Sequence, residues 1–595
     1  MSAREAFDLY KAGRLADAVA LCERLVLVAP SVEAWHILGV SRLGLGRPEA
    51  ALGALDQGLA LDSKRPGLLS AKALVLNSLG RDAEAVVAGR AALAADPANP
   101  PVLSALAASL QRLGGFEEAL AVLDHAVQTS PGDAKTLAGR AALLSLLNRP
   151  ADAARDLEAV MEIDPLHPRL AGDLMWARRQ TCDWREDAAL DMLVKAELKL
   201  GRAAIAPFAA LVIFDEPVVH RRCAVLSAPP PVSAPVWPEK TPGERIRVAY
   251  LSADLHEHAT ARLLAGVLEA HDRARFEIFA VSYGPETGGP MRERLKAACE
   301  HWIEARNLSD SNIAALCREA GIDIAVDLKG YTQDGRPGIL AHRAAPVQVS
   351  WLGYPGTLGA HADVVLADAV TLPPGAEADW SEAVVRLPSY QPNDALGAVA
   401  PPPSRAEVGL PDDAVVLCCF NNPAKITPQT FAAWMAILKA APQTALWLYD
   451  GAPCAAENLR REAALAGVSP ERLVFAPPVP HEAHLARHAL ADLVLDTWPY
   501  GAHTTASDAL RMGIPILSLP GKSFASRVGA SLLTAINMPE LIAASEADYV
   551  ARAVALVADP ALKTRVGEAV RGSTLFDPAA FARSLEAAYA DLLRR

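Results

Sequence analysis

The sequence predicts an α + α/β chain, with an α-helical repeat array in the N-terminal third followed by two doubly wound α/β halves. Three observations lead to this prediction. Near the N-terminus, glycine recurs at intervals of 33, 34 and 34 residues. A proline-rich stretch then occupies residues 228–244. Beyond it, short apolar runs alternate with helical stretches, which is typical of parallel sheets covered by helices.

The N-terminal array is predicted from positions that keep one register over five periods. A helical hairpin of about 34 residues needs a turn after its first helix, and glycine or asparagine supplies it through a positive φ. An alanine five residues later lets the two helices lie close together, and a proline ends most of the periods. This is the tetratricopeptide (TPR) signature, predicted over residues 1–165. The turn positions are Gly13, Gly46, Gly80, Gly114 and Asn148.

A stacked repeat array exposes a concave face that usually binds peptides or proteins, so the array predicts a protein partner. An exposed face of the array could also support a homodimer. Residues 166–227 are helical without a repeat and are expected to cap the array and join it to the rest of the chain. Residues 228–244 are predicted to form a semi-rigid, extended linker.

The α/β region is predicted as two Rossmann-like halves, residues 245–395 and 413–595, joined by a hinge at 396–412. The second half is expected to end in a helix that crosses back. Two such halves enclose a cleft in which ligands bind at the carboxyl ends of the strands. The chain has neither the GxGxxG nor the GxxxxGK[ST] spacing, which disfavours a dinucleotide dehydrogenase or a P-loop NTPase.

Composition excludes several classes of function. A net charge of −12 argues against a nucleic-acid binder. No segment reaches the roughly 18 apolar residues that a membrane span needs, and the charged N-terminus does not resemble a signal peptide. The eight cysteines form neither a CxxC metal pattern nor a disulfide framework. We therefore expect a cytoplasmic protein with no metal site, no membrane contact and no nucleic-acid partner.

The most informative stretch is residues 496–508, where an apolar run ends in an acid and a helix begins about ten residues later. Between them lie two threonines, an imidazole and small residues. A helix N-terminus has unpaired N–H groups and a positive dipole end, so this loop suits a phosphate. Thr504 or Ser507 is expected to cap the helix. An ordinary strand-to-helix loop is the alternative interpretation.

Other polar segments follow other predicted strands, at residues 252–260, 420–425 and 477–484. Together with the strings WLGYPGT, AHTTASDAL and ASRV, they closely resemble the TPR-containing protein O-GlcNAc transferases, a family that includes the SPINDLY-type O-fucosyltransferases. The resemblance covers the whole chain in order. It implies a GT-B fold and an inverting, metal-independent transfer of a sugar from a nucleotide-sugar donor to Ser or Thr of a protein.

The resemblance also implies roles for residues of the second half. Lys425 matches the lysine that stabilises charge on the departing nucleotide, which agrees with the need for a fixed cation at a leaving diphosphate. His503, Thr504 and Thr505 match the family's His-Thr-Thr, whose threonines hold the diphosphate. Asp508 matches the acid that accepts hydrogen bonds from the ribose hydroxyls.

The remaining implied residues surround the base and the sugar. His484 matches the histidine beside the nucleotide base, and Arg487 lies one helical turn further on. His258, with Thr260 beside it, matches the histidine near the sugar. A histidine can take a hydroxyl proton near neutral pH, but it can equally position the donor while a phosphate oxygen takes that proton. Both interpretations stay open, and Asn422 is expected to border the donor.

Departures from animal members leave the donor open. Asn422, Ala424 and His481 stand where those members have glutamine, tyrosine and lysine. UDP-GlcNAc is the family default, and His503 favours it over a fucosyl donor. The alternative is a flagellin glycosyltransferase that uses a CMP-activated nonulosonic acid such as pseudaminic acid. A non-catalytic TPR scaffold is disfavoured because the motif residues are intact, and a small sugar acceptor is disfavoured because a partner-binding array is fused to the enzyme.

Overall fold

The structure is a computed structural model that describes residues 2–232, 235, 237, 243–452 and 454–594. The chain divides into two compact units, Met1–Leu170 and Ala171–Arg595. Within the predicted linker at 228–244, residues 233, 234, 236 and 238–242 lie outside the described residues. Among the described residues, none of the helices combines the length and the apolar character that a membrane crossing requires.

The first unit consists of helical hairpins. Its helices are α1 (Ala3–Lys11), α2 (Leu15–Val28), α3 (Val32–Gly44), α4 (Pro48–Leu61), α5 (Pro66–Ser78), α6 (Asp82–Ala95), α7 (Pro100–Arg112), α8 (Phe116–Thr129), α9 (Ala134–Leu146) and α10 (Pro150–Ile163). Each predicted turn residue joins two helices of one hairpin. Gly46 has φ +70° and Asn148 has φ +55°, the left-handed conformation that the repeat requires.

The repeat alanines lie at the helix–helix contacts. Ala18, Ala51 and Ala119 are 0% exposed because each packs where the second helix of a hairpin meets the first. A larger side chain at these positions would hold the helices apart. The predicted TPR array is therefore confirmed.

The second unit begins with four helices that belong to the α/β body: α11 (Leu170–Gln180), α12 (Asp187–Lys199), α13 (Pro207–Ile213) and α14 (Pro217–Ser227). Cys182 is part of the core of the second α/β half, and Leu211 is part of a core of the first half. Asp215 accepts hydrogen bonds from the backbone N–H groups of Lys522 and Ser523. These contacts fix the helices against both halves.

The first α/β half contains a parallel sheet in the order β3-β2-β1-β4-β5-β6-β7. Its elements are β1 (Ile246–Ser252), α15 (Ala259–Ala270), β2 (Phe276–Ser282), α16 (Pro290–Ala298), β3 (His301–Glu304), α17 (Asp310–Glu319), β4 (Ile324–Asp327), α18 (Gly338–Ala341), β5 (Val347–Ser350), β6 (Val364–Ala367) and β7 (Ala383–Arg386). The neighbouring strands pair in parallel throughout this sheet.

The second α/β half contains a parallel sheet in the order β10-β9-β8-β11-β12. Its elements are β8 (Val415–Cys419), α19 (Pro428–Ala440), β9 (Thr444–Tyr449), α20 (Ala455–Leu465), β10 (Leu473–Ala476), α21 (His481–Arg487), β11 (Leu493–Leu495), α22 (Thr504–Arg511), β12 (Ile516–Leu517), α23 (Val528–Ala535), α24 (Glu546–Leu556), α25 (Leu562–Arg571) and α26 (Pro578–Leu592). Short 3-10 turns are Glu377–Asp379, Ala406–Val408, Pro423–Lys425, Pro470–Arg472, His488–Leu490, Phe524–Ser526 and Pro539–Leu541.

The last helix, α26, packs on the first half, as predicted for a crossing helix. Glu586 accepts hydrogen bonds from His271 Nδ1 at 2.9 Å and from the Asp272 amide at 2.7 Å. Leu585 and Tyr589 are buried in the same core as Tyr250 of β1. The chain thus returns to complete the core of the half that it left at the hinge.

The strand orders place the candidate site. In a doubly wound sheet, ligands bind beyond the carboxyl ends of the two neighbouring strands at which the strand order reverses. These strands are β1 and β4 in the first half, and β8 and β11 in the second. His258 follows β1, Lys425 follows β8, and residues 496–508 follow β11. Three of the segments that carry the family resemblance therefore lie at the switch points of the two sheets.

Candidate functional site

The loop after β11 is organised by a buried carboxylate, Asp496. Its oxygens accept hydrogen bonds from the Thr497 amide at 2.8 Å, the Ala502 amide at 2.6 Å and the Ser518 hydroxyl at 2.7 Å. Burial nevertheless raises the pKa of Asp496 to about 6. The Asp496 carboxylate thus bonds to both ends of the loop, at Thr497 and at Ala502, and this places His503 at the start of α22.

Lys425, at the end of the turn after β8, reaches this loop from the neighbouring strand. Its ammonium donates to the Gly501 carbonyl at 3.0 Å and lies 4.0 Å from the centre of the Tyr500 ring. Burial lowers the pKa of Lys425 to about 8, although Asp496 opposes that shift. The half-buried ammonium of Lys425 therefore contacts the loop three residues before α22 begins.

His503 is held as a neutral ring. Its Nε2–H donates to the Ala525 carbonyl at 3.0 Å, and the imidazole stacks on Tyr500 with a centroid distance of 4.8 Å. Burial, together with the charge of Lys425, lowers the pKa of His503 to about 3. The side chain therefore helps to shape the loop without adding charge to it.

Helix α22 begins at Thr504, earlier than predicted, and its N-cap His503 makes no side-chain capping hydrogen bond. The expectation that Thr504 or Ser507 caps this helix is wrong, because both residues lie inside it. Thr505 instead donates its hydroxyl to Asn421 Oδ1 at 2.6 Å, and Asn421 donates to the Thr497 hydroxyl at 2.8 Å. The first turn of α22 is thus tied to the loop after β8.

A second cluster of polar side chains surrounds Asp508 of α22. His481 Nε2 lies 3.2 Å from Asp508 Oδ1, and His484 Nε2 lies 3.6 Å from Oδ2. Arg487 donates to His484 Nδ1 at 2.7 Å, and its guanidinium lies 4.1 Å from the centre of the Phe420 ring. Burial, reinforced by the neighbouring positive groups, lowers the pKa of His484 to about 2, so its ring is neutral.

His258 and Thr260 lie at the start of α15 in the first half. His258 is the N-cap of α15, and its Nδ1 accepts a hydrogen bond from the Thr260 amide at 3.2 Å. Burial lowers the pKa of His258, and so do the charges of Lys329, His256 and Arg262, whereas Asp254 raises it. The ring is therefore neutral at neutral pH.

A cavity of about 510 Å³ lies between the two halves. It is lined by Glu257 and Arg262 of the first half and by His481, Thr504 and Asp508 of the second. Asn422 is exposed and caps the turn before Lys425 by accepting a hydrogen bond from the Ala424 amide. The predicted residues thus form three groups, one around Lys425 and His503, one around Asp508, and one at the start of α15.

Sequence reasoning assigned no role to three residues that shape the site, Asp496, Asn421 and Tyr500. All three lie inside or next to the segments that carry the resemblance, so the sequence indicates that they are near the site. It does not indicate their contacts with residues that follow other strands. Within the described ranges, no group of three or more histidine, cysteine or acidic side chains is arranged to hold a metal ion.

Comparison with known proteins identifies the family. Residues 224–391 and 399–585 match the family model described as glycosyl transferase family 41. These two ranges together make up more than half of the chain, so the chain belongs to this family. The predicted resemblance is confirmed, as is the TPR array followed by a GT-B fold.

A protein of Arabidopsis thaliana named probable UDP-N-acetylglucosamine–peptide N-acetylglucosaminyltransferase SEC is 29% identical over 440 residues, which are 69% of this chain and 45% of the relative. A SPINDLY protein of Solanum lycopersicum with the same enzyme name is 31% identical over 373 residues, 60% of this chain and 39% of the relative. The chain thus spans less than half the length of these relatives.

Among solved structures, a mutant of the Thermobaculum terrenum O-GlcNAc transferase superposes with a TM-score of 0.63 at 28% sequence identity. The superposition covers 88% of this chain and 97% of that one. The two proteins therefore have the same order of helical array and GT-B body.

Proposed function

We propose that this protein is a protein O-glycosyltransferase that transfers a sugar, GlcNAc from UDP-GlcNAc, to Ser or Thr of a protein acceptor recruited by the TPR array. The observation that carries the proposal is the position of Lys425, a half-buried cation beside the N-terminal end of α22. Fixed positive charge and free amide donors are what a departing diphosphate needs.

In the proposed reaction, an acceptor hydroxyl attacks the anomeric carbon as the bond from that carbon to the diphosphate oxygen breaks. The electron pair passes to the diphosphate, where Lys425 and the threonines at the start of α22 stabilise the charge. The hydroxyl proton goes to His258 or to a phosphate oxygen. Inversion and independence from metal ions are part of this proposal and rest on family membership.

The remaining site residues are proposed to bind the nucleotide. Asp508 would accept hydrogen bonds from the ribose, and this requires its contacts with His481 and His484 to rearrange. His484 and Arg487 would lie against the base. His484 is neutral, and because its Nδ1 accepts from Arg487 it can stack on a base or donate to it from Nε2.

One observation favours the alternative donor, a CMP-activated nonulosonic acid transferred to flagellin. Arg262 lines the same cavity as Thr504 and Asp508, and a carboxylate on the sugar would pair with its guanidinium. Glu257 already lies 3.3 Å from this guanidinium, which weakens the argument for an acidic sugar. UDP-GlcNAc is therefore the first choice.

A thermal-shift series against UDP-, GDP- and CMP-sugars tests the donor. We expect UDP-GlcNAc to stabilise the protein by about 2.7 kcal/mol at a hundredfold excess over Kd, which is a shift of several degrees in Tm. Lys425→Ala should weaken this shift, and Lys439→Ala, at an exposed lysine of α19, should not. Stabilisation by a CMP-sugar alone would select the alternative donor, and no response to any nucleotide sugar would contradict the proposal.

A further inference from the structure

A buried ion pair lies beside His258 at the switch point of the first sheet. Lys329 Nζ donates to both carboxylate oxygens of Asp254 at 2.8 Å. Asp254 follows β1 and Lys329 follows β4, the two neighbouring strands at which the strand order reverses. The side chains are 10% and 5% exposed. Burying two charges costs free energy, and a buried ion pair is weak evidence of a stabilising role. We therefore expect this pair to act on a neighbouring group.

The surroundings of this pair include the ring of His258. His258 Nδ1 lies 3.3 Å from Asp254 Oδ2 and 3.2 Å from the Thr260 amide nitrogen. An amide N–H only donates, so when it bonds to Nδ1 the neutral ring carries its proton on Nε2. A carboxylate only accepts, so when Nδ1 turns its proton toward Asp254, Nε2 is bare. The two neighbours therefore select opposite tautomers.

The two tautomers support the two roles that stay open for His258. With the proton on Nε2, the ring donates a hydrogen bond to the donor substrate and positions it. With Nε2 bare, the ring can take the proton of the acceptor hydroxyl. Of the two neighbours of Nδ1, Asp254 stabilises the second tautomer and the Thr260 amide opposes it. The choice between base and positioning group therefore depends on how strongly Asp254 accepts.

We propose that Asp254 is a positioning residue for His258, that it turns bare Nε2 toward the acceptor hydroxyl, and that Lys329 limits its strength by neutralising its carboxylate. This inference rests on the proposed transferase function. As the new bond to the anomeric carbon forms and the bond to the diphosphate breaks, the hydroxyl proton passes to Nε2. The imidazolium that results donates from Nδ1 to Asp254.

Charged and titratable groups near His258 act on its ring in opposite directions. Asp254 favours the imidazolium, whereas Lys329, His256 and Arg262 disfavour it. The His256 ring centroid is 5.9 Å from that of His258, and Arg262 lies one turn further along α15. With Lys329 in place the resting ring is neutral, as a general base must be. Without Lys329, Asp254 alone would favour the protonated ring before any substrate binds.

The first test follows the titration of His258 by NMR of the full chain labelled with ¹³C-histidine, with the resonance assigned by His258→Gln. Asp254→Asn should lower the pKa of His258, and Lys329→Gln should raise it. Arg343→Gln is the control, since Arg343 forms an ion pair with Asp363 in the same half and does not face His258. No change in either variant, or a change in the same direction in both, would overturn the coupling.

The second test measures kcat/KM for sugar transfer against pH. A base must be neutral, so activity falls as pH drops through the pKa of His258. Lys329→Gln should therefore move this acid limb to higher pH. Asp254→Asn should move it to lower pH and reduce the rate at neutral pH about tenfold, because the bare-Nε2 tautomer loses its support. A merely structural role would reduce the rate without moving the limb.

The two tests separate the two proposals. Opposite NMR shifts with an unmoved acid limb overturn the positioning role while leaving the transferase function intact. Opposite shifts in a chain that transfers no sugar overturn the transferase function instead. If Lys329→Gln does not fold, the double variant Asp254→Asn with Lys329→Gln replaces it. The pKa of His258 should then fall less than in Asp254→Asn, and an equal or larger fall overturns the role of Lys329.

Discussion

At the scale of single residues, the site contains a lysine ammonium, that of Lys425, whose charge its surroundings do not fully stabilise. Burial lowers the pKa of Lys425 to about 8, and it raises the pKa of Asp496, the carboxylate that opposes the first shift, to about 6. The Asp496 oxygens are already used by two amides and a hydroxyl. A bound diphosphate would give Lys425 the partner that the free protein does not provide, and its binding should keep this lysine charged.

Lys425→Ala tests this role directly. Removing the cation should lower the rate of sugar transfer by about 10² to 10³, the loss typical when one fixed donor to a developing anion is deleted. The rate is measured with a labelled donor, with Lys439→Ala as the matched control. Binding of a protein partner to the TPR array should be unchanged. Normal turnover by Lys425→Ala would refute the assignment to the leaving group.

The sequence was sufficient to single out Lys425 and His503 as candidate site residues, because each belongs to a segment with a recognisable motif. It was not sufficient for Tyr500 or Asn421. Tyr500 matters because its ring lies under both Lys425 and His503, and Asn421 matters because it joins Thr505 to Thr497. The contacts of Tyr500 with Lys425 and of Asn421 with both threonines arise only when β8 and β11 pair, so no local pattern marks them.

At the scale of elements, the TPR hairpins depend on small residues at chosen points. Gly39 of α3 faces Leu55 of α4, and a Cβ there would lie 2.5 Å from Leu55 Cδ2. Gly53 of α4 has no atom within 4 Å of the place where its Cβ would be. The two glycines are in the same hairpin, so they form a matched pair for substitution.

Gly39→Ala should destabilise the array by about 1 to 3 kcal/mol, because the buried Leu55 has little room to move. Gly53→Ala should be neutral or stabilise by up to about 1 kcal/mol, since alanine is the better helix former at an exposed position. Chemical denaturation followed by circular dichroism measures both. Equal effects of the two substitutions would contradict the close approach of α3 and α4.

Strands were predictable where they are buried on both faces. The apolar run over residues 246–251 corresponds to β1, which lies in the interior of its sheet. The predicted strands of this half are the apolar runs over residues 246–251, 276–281, 322–328, 347–352 and 364–366. They omit β3 and β7, which are the two edges of the same sheet. An edge strand such as His301–Glu304 is partly exposed and only four residues long. Its hydrogen bonds to β2 define it as a strand, and its side-chain pattern does not.

At the scale of the whole molecule, the predicted division of labour is an array that recruits and a body that reacts. Helices α11–α14 are packed into the body, so a deletion of residues 1–165 leaves them in place. The boundaries of the linker and hinge segments stay predictions. The contacts of Cys182 and Leu211 indicate where the body needs its preceding chain.

Deleting residues 1–165 should reduce modification of a protein acceptor far more than hydrolysis of the donor, because the body that binds the donor keeps its packing. Both rates are measured on one preparation with a labelled donor. A deletion of residues 1–227 is the contrast, and it should abolish both activities by exposing the cores of the two halves. An equal loss of both rates in the shorter deletion would contradict a recruiting role.

The return of α26 to the first half has a consequence for synthesis. The core around Tyr250 contains Leu585 and Tyr589, which are translated after every strand of the second half. The first half therefore cannot finish folding while the ribosome is still producing the second, and must wait with part of its apolar surface uncovered. A chain truncated before residue 578 would contain every strand of both halves, but the core of the first half would lack Leu585 and Tyr589.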